Sequence, residues 1–220
     1  MIRRSLALGV ALLALLAGPL TAAAQTAPKA AEAAPVPPGE GKIEGFRSAK
    51  FGMNEADVRK AIAKDFPAVD KVEKGENPTE RTAMLSAAVK DLLPDTGRAQ
   101  VVYILGYQSK ALIQVNVVWG GPANPGVKAE ALVQVANQLR NYFAGQGYKP
   151  ETVVQNAQMG DGSILAFRGQ DSAGRLVALV LSNVQAPKGA DGKAPPLMLQ
   201  LSYVANPASP DIFRLPAGQF

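Results

Sequence analysis

The sequence predicts an α+β fold, an antiparallel sheet of about seven strands with two main helices on one face. Three observations carry this. Two stretches, residues 54–66 and 127–144, place apolar side chains at intervals of three and four, the spacing of one helix face. Runs with a period of two follow each of them, bounded by Gly, Pro, Asn and Asp. These strand runs come in groups after each helix, whereas a parallel sheet needs helices alternating singly with strands. Two helices on one side leave the opposite face open to solvent or to a partner.

The first helix is signalled from its start. Phe46 and Phe51 anchor a short extended piece, Gly52 permits a turn, and Asn54 is placed to cap the helix by accepting from the N–H of Ala56 or Asp57. Glu55 and Asp57 complement the positive helix end, Val58 and Ile62 share one face, and Pro67 stops the helix. Residues 70–78, charged and carrying Gly75 and Pro78, read as a loop. Strands are expected at 81–89, 98–107 and 111–119, the last with Ile113, Val115, Val117 and Trp119 on one side and Gln114 and Asn116 on the other. The Gly/Pro-rich stretch 120–126 then introduces the second helix, with Leu132, Val135, Leu139, Tyr142 and Phe143 inward and Lys128, Gln134, Gln138 and Asn141 outward. Gly145 or Gly147 ends it. Further strands are expected at 151–155, 163–170, 175–183 and 197–204, with a hairpin turn at 171–174 and a loop at 186–196. The halves 45–120 and 126–205 are alike in element order.

Residues 1–24 read as a secretory signal peptide: Arg3 and Arg4 form a basic start, 6–20 is apolar, and Ala22-Ala23-Ala24 supplies small residues before cleavage at Gln25. The apolar run falls short of the roughly 20 residues of a spanning helix. The Arg pair touches on twin-arginine export, but no longer polar region precedes it, and ordinary export fits better. Residues 25–41, rich in Ala and Pro, read as a disordered tether, and 42–220 as a single domain. With no Cys there is no acylated anchor and no disulfide, so the expected location is the periplasm, with secretion as the alternative. The formal charge of +5 falls to +3 without Arg3 and Arg4, and the remaining cations are interspersed with acids. No nucleic-acid surface and no membrane span after cleavage are expected.

The missing residues also bound the chemistry. Without His or Cys the usual zinc, copper, haem and iron–sulfur ligand sets cannot be assembled, nor can Ser-His-Asp or Cys-His catalysis, so no metal and no cofactor is expected. No Ser-x-x-Lys occurs, Ser48 and Lys50 would only flank Ala49, and Gly120-Gly121 is followed by Pro122, which removes a donor from any phosphate cradle. Carboxylates remain, and Glu55, Asp57, Asp65, Glu73, Glu76, Glu80, Asp161 and Asp171 would have to supply any acid/base pair. Most sit in caps, charged loops or turns, where acids have local reasons to be. Trp119 is expected in the core or at its rim. Tyr103, Tyr107 and Tyr203 are the candidate partner-binding residues, forming a patch on the open face if their strands are neighbours in the right register. The terminal Phe220 follows residues without a barrel strand's alternation.

The run Phe51-Gly52-Met53-Asn54-Glu55-Ala56-Asp57-Val58 resembles the opening of small exported bacterial α+β domains. The SmpA/OmlA family of outer-membrane assembly lipoproteins has a similar Gly-turn-helix opening, and the β-lactamase-inhibitor-protein-like fold a similar order of helix then antiparallel strands, given twice. The chain departs in lacking a lipid-bearing Cys and in exceeding one such unit in length. The resemblance implies a protein-binding or envelope-associated domain that meets its partner through an open sheet. The function expected is therefore non-enzymatic binding of a protein or envelope component. The alternatives are a carrier of a small hydrophobic ligand and a carboxylate-based hydrolase.

Overall fold

The computed structural model describes residues 41–121, 123–184, 194–215 and 218, all within the unit Pro35–Phe220. The stretch 1–24 expected to be a signal peptide, and all but Gly41 of the expected tether, lie outside the described residues, as do most of the loop expected at 186–196 and Phe220. A two-residue hairpin, β1 (Gly45–Phe46) and β2 (Ala49–Lys50), leads into helix α1 (Glu55–Asp65). The cap is the expected one, with Asn54 Oδ1 accepting from Asp57 N at 3.0 Å. Gly52 takes φ +88°, a region costly for any side chain, and its N–H donates to Leu112 O at 2.9 Å while Leu112 N donates to Met53 O at 2.8 Å. The turn thereby ties the helix entrance to the sheet.

The first half continues as β3 (Val72–Asn77), β4 (Thr82–Val89), β5 (Ala99–Leu105) and β6 (Leu112–Gly120). The second half comprises helix α2 (Ala129–Ala144), a 3-10 turn (Pro150–Thr152), then β7 (Val154–Gln158), β8 (Ile164–Gln170), β9 (Leu176–Ser182) and β10 (Met198–Val204). All eight strands after α1 form one antiparallel sheet in the order β3-β4-β5-β6-β10-β9-β8-β7. Each half is a helix followed by a four-stranded meander, and the last strands of the two meanders meet in the middle. Among the described residues no helix is long and apolar enough to cross a membrane.

Both helices cover the same side of the sheet. Val58, Ala61 and Ile62 of α1 and Leu132, Val135, Ala136 and Phe143 of α2 enter one core with Leu85, Val101, Tyr103, Val117, Trp119, Leu179 and Leu199 from the strands. A chain of aromatic contacts crosses this core. Phe66 lies 6.4 Å from Phe46, Phe46 5.8 Å from Tyr203, Tyr203 6.3 Å from Phe143, Phe143 5.7 Å from Phe167, and Phe167 5.9 Å from Tyr148. It joins the end of α1 to the end of α2 by way of β10, and each such pair contributes about 0.5–1.5 kcal/mol beyond its buried area.

Several sequence expectations are corrected. The α+β fold with an antiparallel sheet of about seven strands is found, with eight, but the 70–78 loop contains β3. That strand is an edge, with Glu73, Lys74, Gly75 and Glu76 all exposed, so both its faces are wet and no hydrophobic alternation marks it. The strand expected at 151–155 begins at Val154, after the 3-10 turn set by Pro150. Ile113 leaves the row of Val115, Val117 and Trp119 because a bulge at the end of the β5/β6 ladder pairs Leu105 with Leu112 and Ile104 with Gln114. Tyr142 is 60% exposed, on the flank of the α2 stripe of Leu132, Ala136, Leu139 and Phe143 at the end of the helix, where its ring meets Phe143 edge to face at 5.2 Å.

Replacing Phe143 by Ala removes the link between α2 and both Tyr203 and Phe167 and is expected to cost about 3–5 kcal/mol. Replacing the adjacent, exposed Tyr142 by Ala should stay within about 0.5 kcal/mol. Urea denaturation of both variants checks this, and equal losses would contradict the assigned core face.

Candidate functional site

The side of the sheet away from the helices is the candidate site. Across β5, β6, β10 and β9 the register aligns Gln100, Val118, Gln200 and Val180 in one row and Val102, Asn116, Ser202 and Ala178 in the next. Ile104, Gln114, Val204 and Leu176 make a third row. All twelve are half-buried, and none is charged. Among the described strand residues in register with these rows, the charges are Arg168 on β8 and Glu73 on β3, and Lys90, Arg98 and Glu80 stand at the ends of the face. Ordinary wet sheet faces alternate core residues with Lys, Glu and Arg, whereas depletion of charge marks the centre of protein interfaces.

The polar groups here are already paired among themselves. Gln114 Nε2 donates to Asn116 Oδ1 at 2.9 Å, Gln200 Nε2 donates to Ser202 Oγ at 3.0 Å, and Gln100 Nε2 donates to Ser86 Oγ. A partner covering them strands fewer donors than it would on a charged surface. With ladder spacings of about 4.8 and 3.4 Å the four strands span roughly 20 by 24 Å. The full sheet about doubles that, reaching the roughly 800 Å² per partner of a standard interface.

One end of the face is bounded by the segment after β10. Ala205 N donates to Ile113 O at 2.9 Å, and Asp211 then clasps the β5–β6 turn, accepting from Gln108 N at 2.9 Å and Ser109 N at 2.8 Å. Gly106 is required there because a Cβ would collide with Asp211 Oδ2 and Ser109 Oγ. Phe213 meets Tyr107 edge to face at 5.5 Å, and the Arg81 guanidinium lies 3.9 Å from the Phe213 ring centre. Between this segment and the face is a cavity of about 370 Å³ lined by Ile104, Ile113, Val204 and Ile212, with Glu80 and Gln114.

The three tyrosines do not form an exposed patch. Tyr103 and Tyr203 do flank Val115 in one cross-strand row, but the row is on the covered side. Tyr103 is fully buried, and Tyr203 belongs to the aromatic chain. Burial pushes both hydroxyls well above the ordinary tyrosine range, helped at Tyr103 by the charge of Asp65 and at Tyr203 by Tyr148. Tyr107 alone lies at the rim, against Phe213. Alternation showed which residues share a face and not which face the helices cover.

Among the described residues the carboxylates with displaced pKa values are all displaced downwards, the opposite of what a general acid needs. Hydrogen bonds from Lys74 and Arg59 lower Glu55, those from the Ser163 hydroxyl and N–H lower Asp161, and the Ser109 hydroxyl with the Gln108 and Ser109 N–H groups lowers Asp211. The helices and sheet together define an α+β protein in which, among the described residues, both helices lie on one sheet face and none on the other. No family model, curated protein or solved structure matches this chain.

Since the folded pKa of Asp211 lies below its ordinary value of 3.8, its clasp stabilises fully above that value and is lost as pH falls through the folded one. Asp211→Asn should lower the urea midpoint at pH 7 and flatten the decline between pH 5 and pH 2. A parent and variant that decline in parallel would exclude the clasp as the cause.

Proposed function

We propose that this chain is a non-enzymatic binding protein of the bacterial envelope, acting in the periplasm after removal of residues 1–24, whose partner is a protein seated on the uncovered sheet face. The observation that supports the reading most is the absence of charge from twelve outward positions on four central strands. The partner surface that fits is uncharged and mixed, with apolar side chains for Val102, Val118 and Val180 and hydrogen-bonding groups for Gln100, Gln114 and Gln200. The resemblance to SmpA/OmlA-type envelope domains implies the same mode of contact.

Photo-crosslinking side chains placed singly at Val118, Val180 and, as a control, Tyr142 test the proposal in intact cells. A discrete adduct from Val118 and Val180, absent from Tyr142 and abolished by Ser202→Arg in a folded variant, is the expected result. Adducts of equal yield from all three positions, or adducts indifferent to Ser202→Arg, would refute it.

A further inference from the structure

A second opening lies on the other side of the sheet, under the N-terminal half of α2. We propose that it is a binding site for an uncharged small molecule with an apolar body and a carbonyl or amide end. The cleft measures about 510 Å³, within the roughly 300–1,000 Å³ of small-molecule sites. The helix contributes Ala129, Val133 and Ala136 to its walls, and the sheet contributes Ile164, Ala166 and Leu181.

The opening exists because both surfaces carry small residues where they face each other. Towards its C-terminal end α2 is filled against the sheet by Phe143 on Phe167, but two turns earlier Ala136 stands opposite Ala166. Ala166 is also the extra residue of a bulge, between the β8 pairs Leu165–Val180 and Phe167–Leu179, so the strand is locally re-aimed. The large hydrophobics exposed among the described residues are Val133, Tyr142, Val184 and Leu215, and two of these four, Val133 at 44% and Val184 at 38%, line this cleft. Their clustering at one concavity is what a ligand site leaves open.

The polar lining fixes the class of ligand. Asn137, Asn156 and Asn183 bring carboxamides to the cleft, and among the described residues no charged side chain lines it. Two of these amides are held in place: Arg140 Nη1 donates to Asn156 Oδ1 at 2.8 Å, and Asn183 Nδ2 donates to Pro196 O at 3.0 Å. Both residues adopt left-handed backbone, φ 52° and 65°, which Asn tolerates better than most residues. An ion entering the cleft would be desolvated with no charged group among its described lining residues, the nearby Arg140 being engaged by Asn156, which disfavours it. An extended peptide brings a donor and an acceptor per residue, more than three amides satisfy, so a small molecule with one polar end fits better.

The probe is 1-N-phenylnaphthylamine, uncharged and fluorescent in apolar surroundings, titrated into the mature chain from Gln25. One saturable site per chain is expected. Val133→Glu puts a charge at an exposed lining position and Ala129→Trp fills the cleft from another exposed position, so neither disturbs the core. Each should weaken binding at least about tenfold, whereas Ala63→Glu, at an exposed position of α1 that does not line the cleft, should leave it unchanged. No saturable binding, binding indifferent to both cleft substitutions, or binding lost equally with Ala63→Glu would overturn the site.

Discussion

The pairing of β6 with β10 is the contact on which the rest of the architecture depends. Each half of the chain folds locally into a helix and a meander, and these seven cross-strand pairs, from Met198–Gly120 to Val204–Gln114, are what make two small sheets one. Without them both central strands would be edges, each presenting unpaired N–H and C=O groups. With them the only free edges are β3, which is short and charged, and β7, which has a left-handed Asn156 and a break in its pairing. The pairing also sets the core, because it places Leu199 beside Trp119 and Tyr203 beside Val115 under the two helices.

Two helices are too few to sheathe both sides of eight strands, and the molecule commits both to one side. The aromatic chain from Phe66 to Tyr148 makes that commitment cooperative, since Tyr203 at its middle touches an aromatic from each half. The same choice has a cost. Tyr103 OH and Trp119 Nε1, on the covered side, are buried with no partner among the described residues, and each such group costs about 1–3 kcal/mol. On the uncovered side the balance is reversed, and the amides find partners two residues along or on the next strand while the aliphatic groups stay wet.

Much of this was legible in the sequence because local signals and the fold agreed. The Asn54 cap, the Pro67 stop, the Gly-rich break before α2 and the alternation of β5, β6, β9 and β10 depend on neighbours a few residues away. What escaped depended on distant partners. Asp211 reads as an ordinary loop acid until it is found on the backbone of Gln108 and Ser109, 103 and 102 residues earlier. The β3 strand has no core side to imprint a pattern, and Ile113 follows the alternation of its own strand until a bulge displaces it. The tyrosine patch failed for a related reason, because a period of two leaves the choice of covered face to tertiary structure. The charge-free rows were visible as Gln, Asn, Ser and Val alternating with core residues, yet only the register turns four separate strands into one surface.

The two openings that the structure offers to other molecules lie on opposite sides of the same strands. Val180 faces outward on β9 and its neighbour Leu181 lines the cleft under α2, so one strand separates them by a single residue. Such a sheet is stiff along its ladders, and a ligand under α2 cannot touch a protein on the far face. Any influence of one on the other must therefore pass through a change in the twist or register of β8 and β9. The bulge at Ala166 is where that ladder is already irregular. It sits on the wall of the cleft and one residue from Leu165, which is on the uncovered face, and is thus the place where the packing of the two faces is most directly shared.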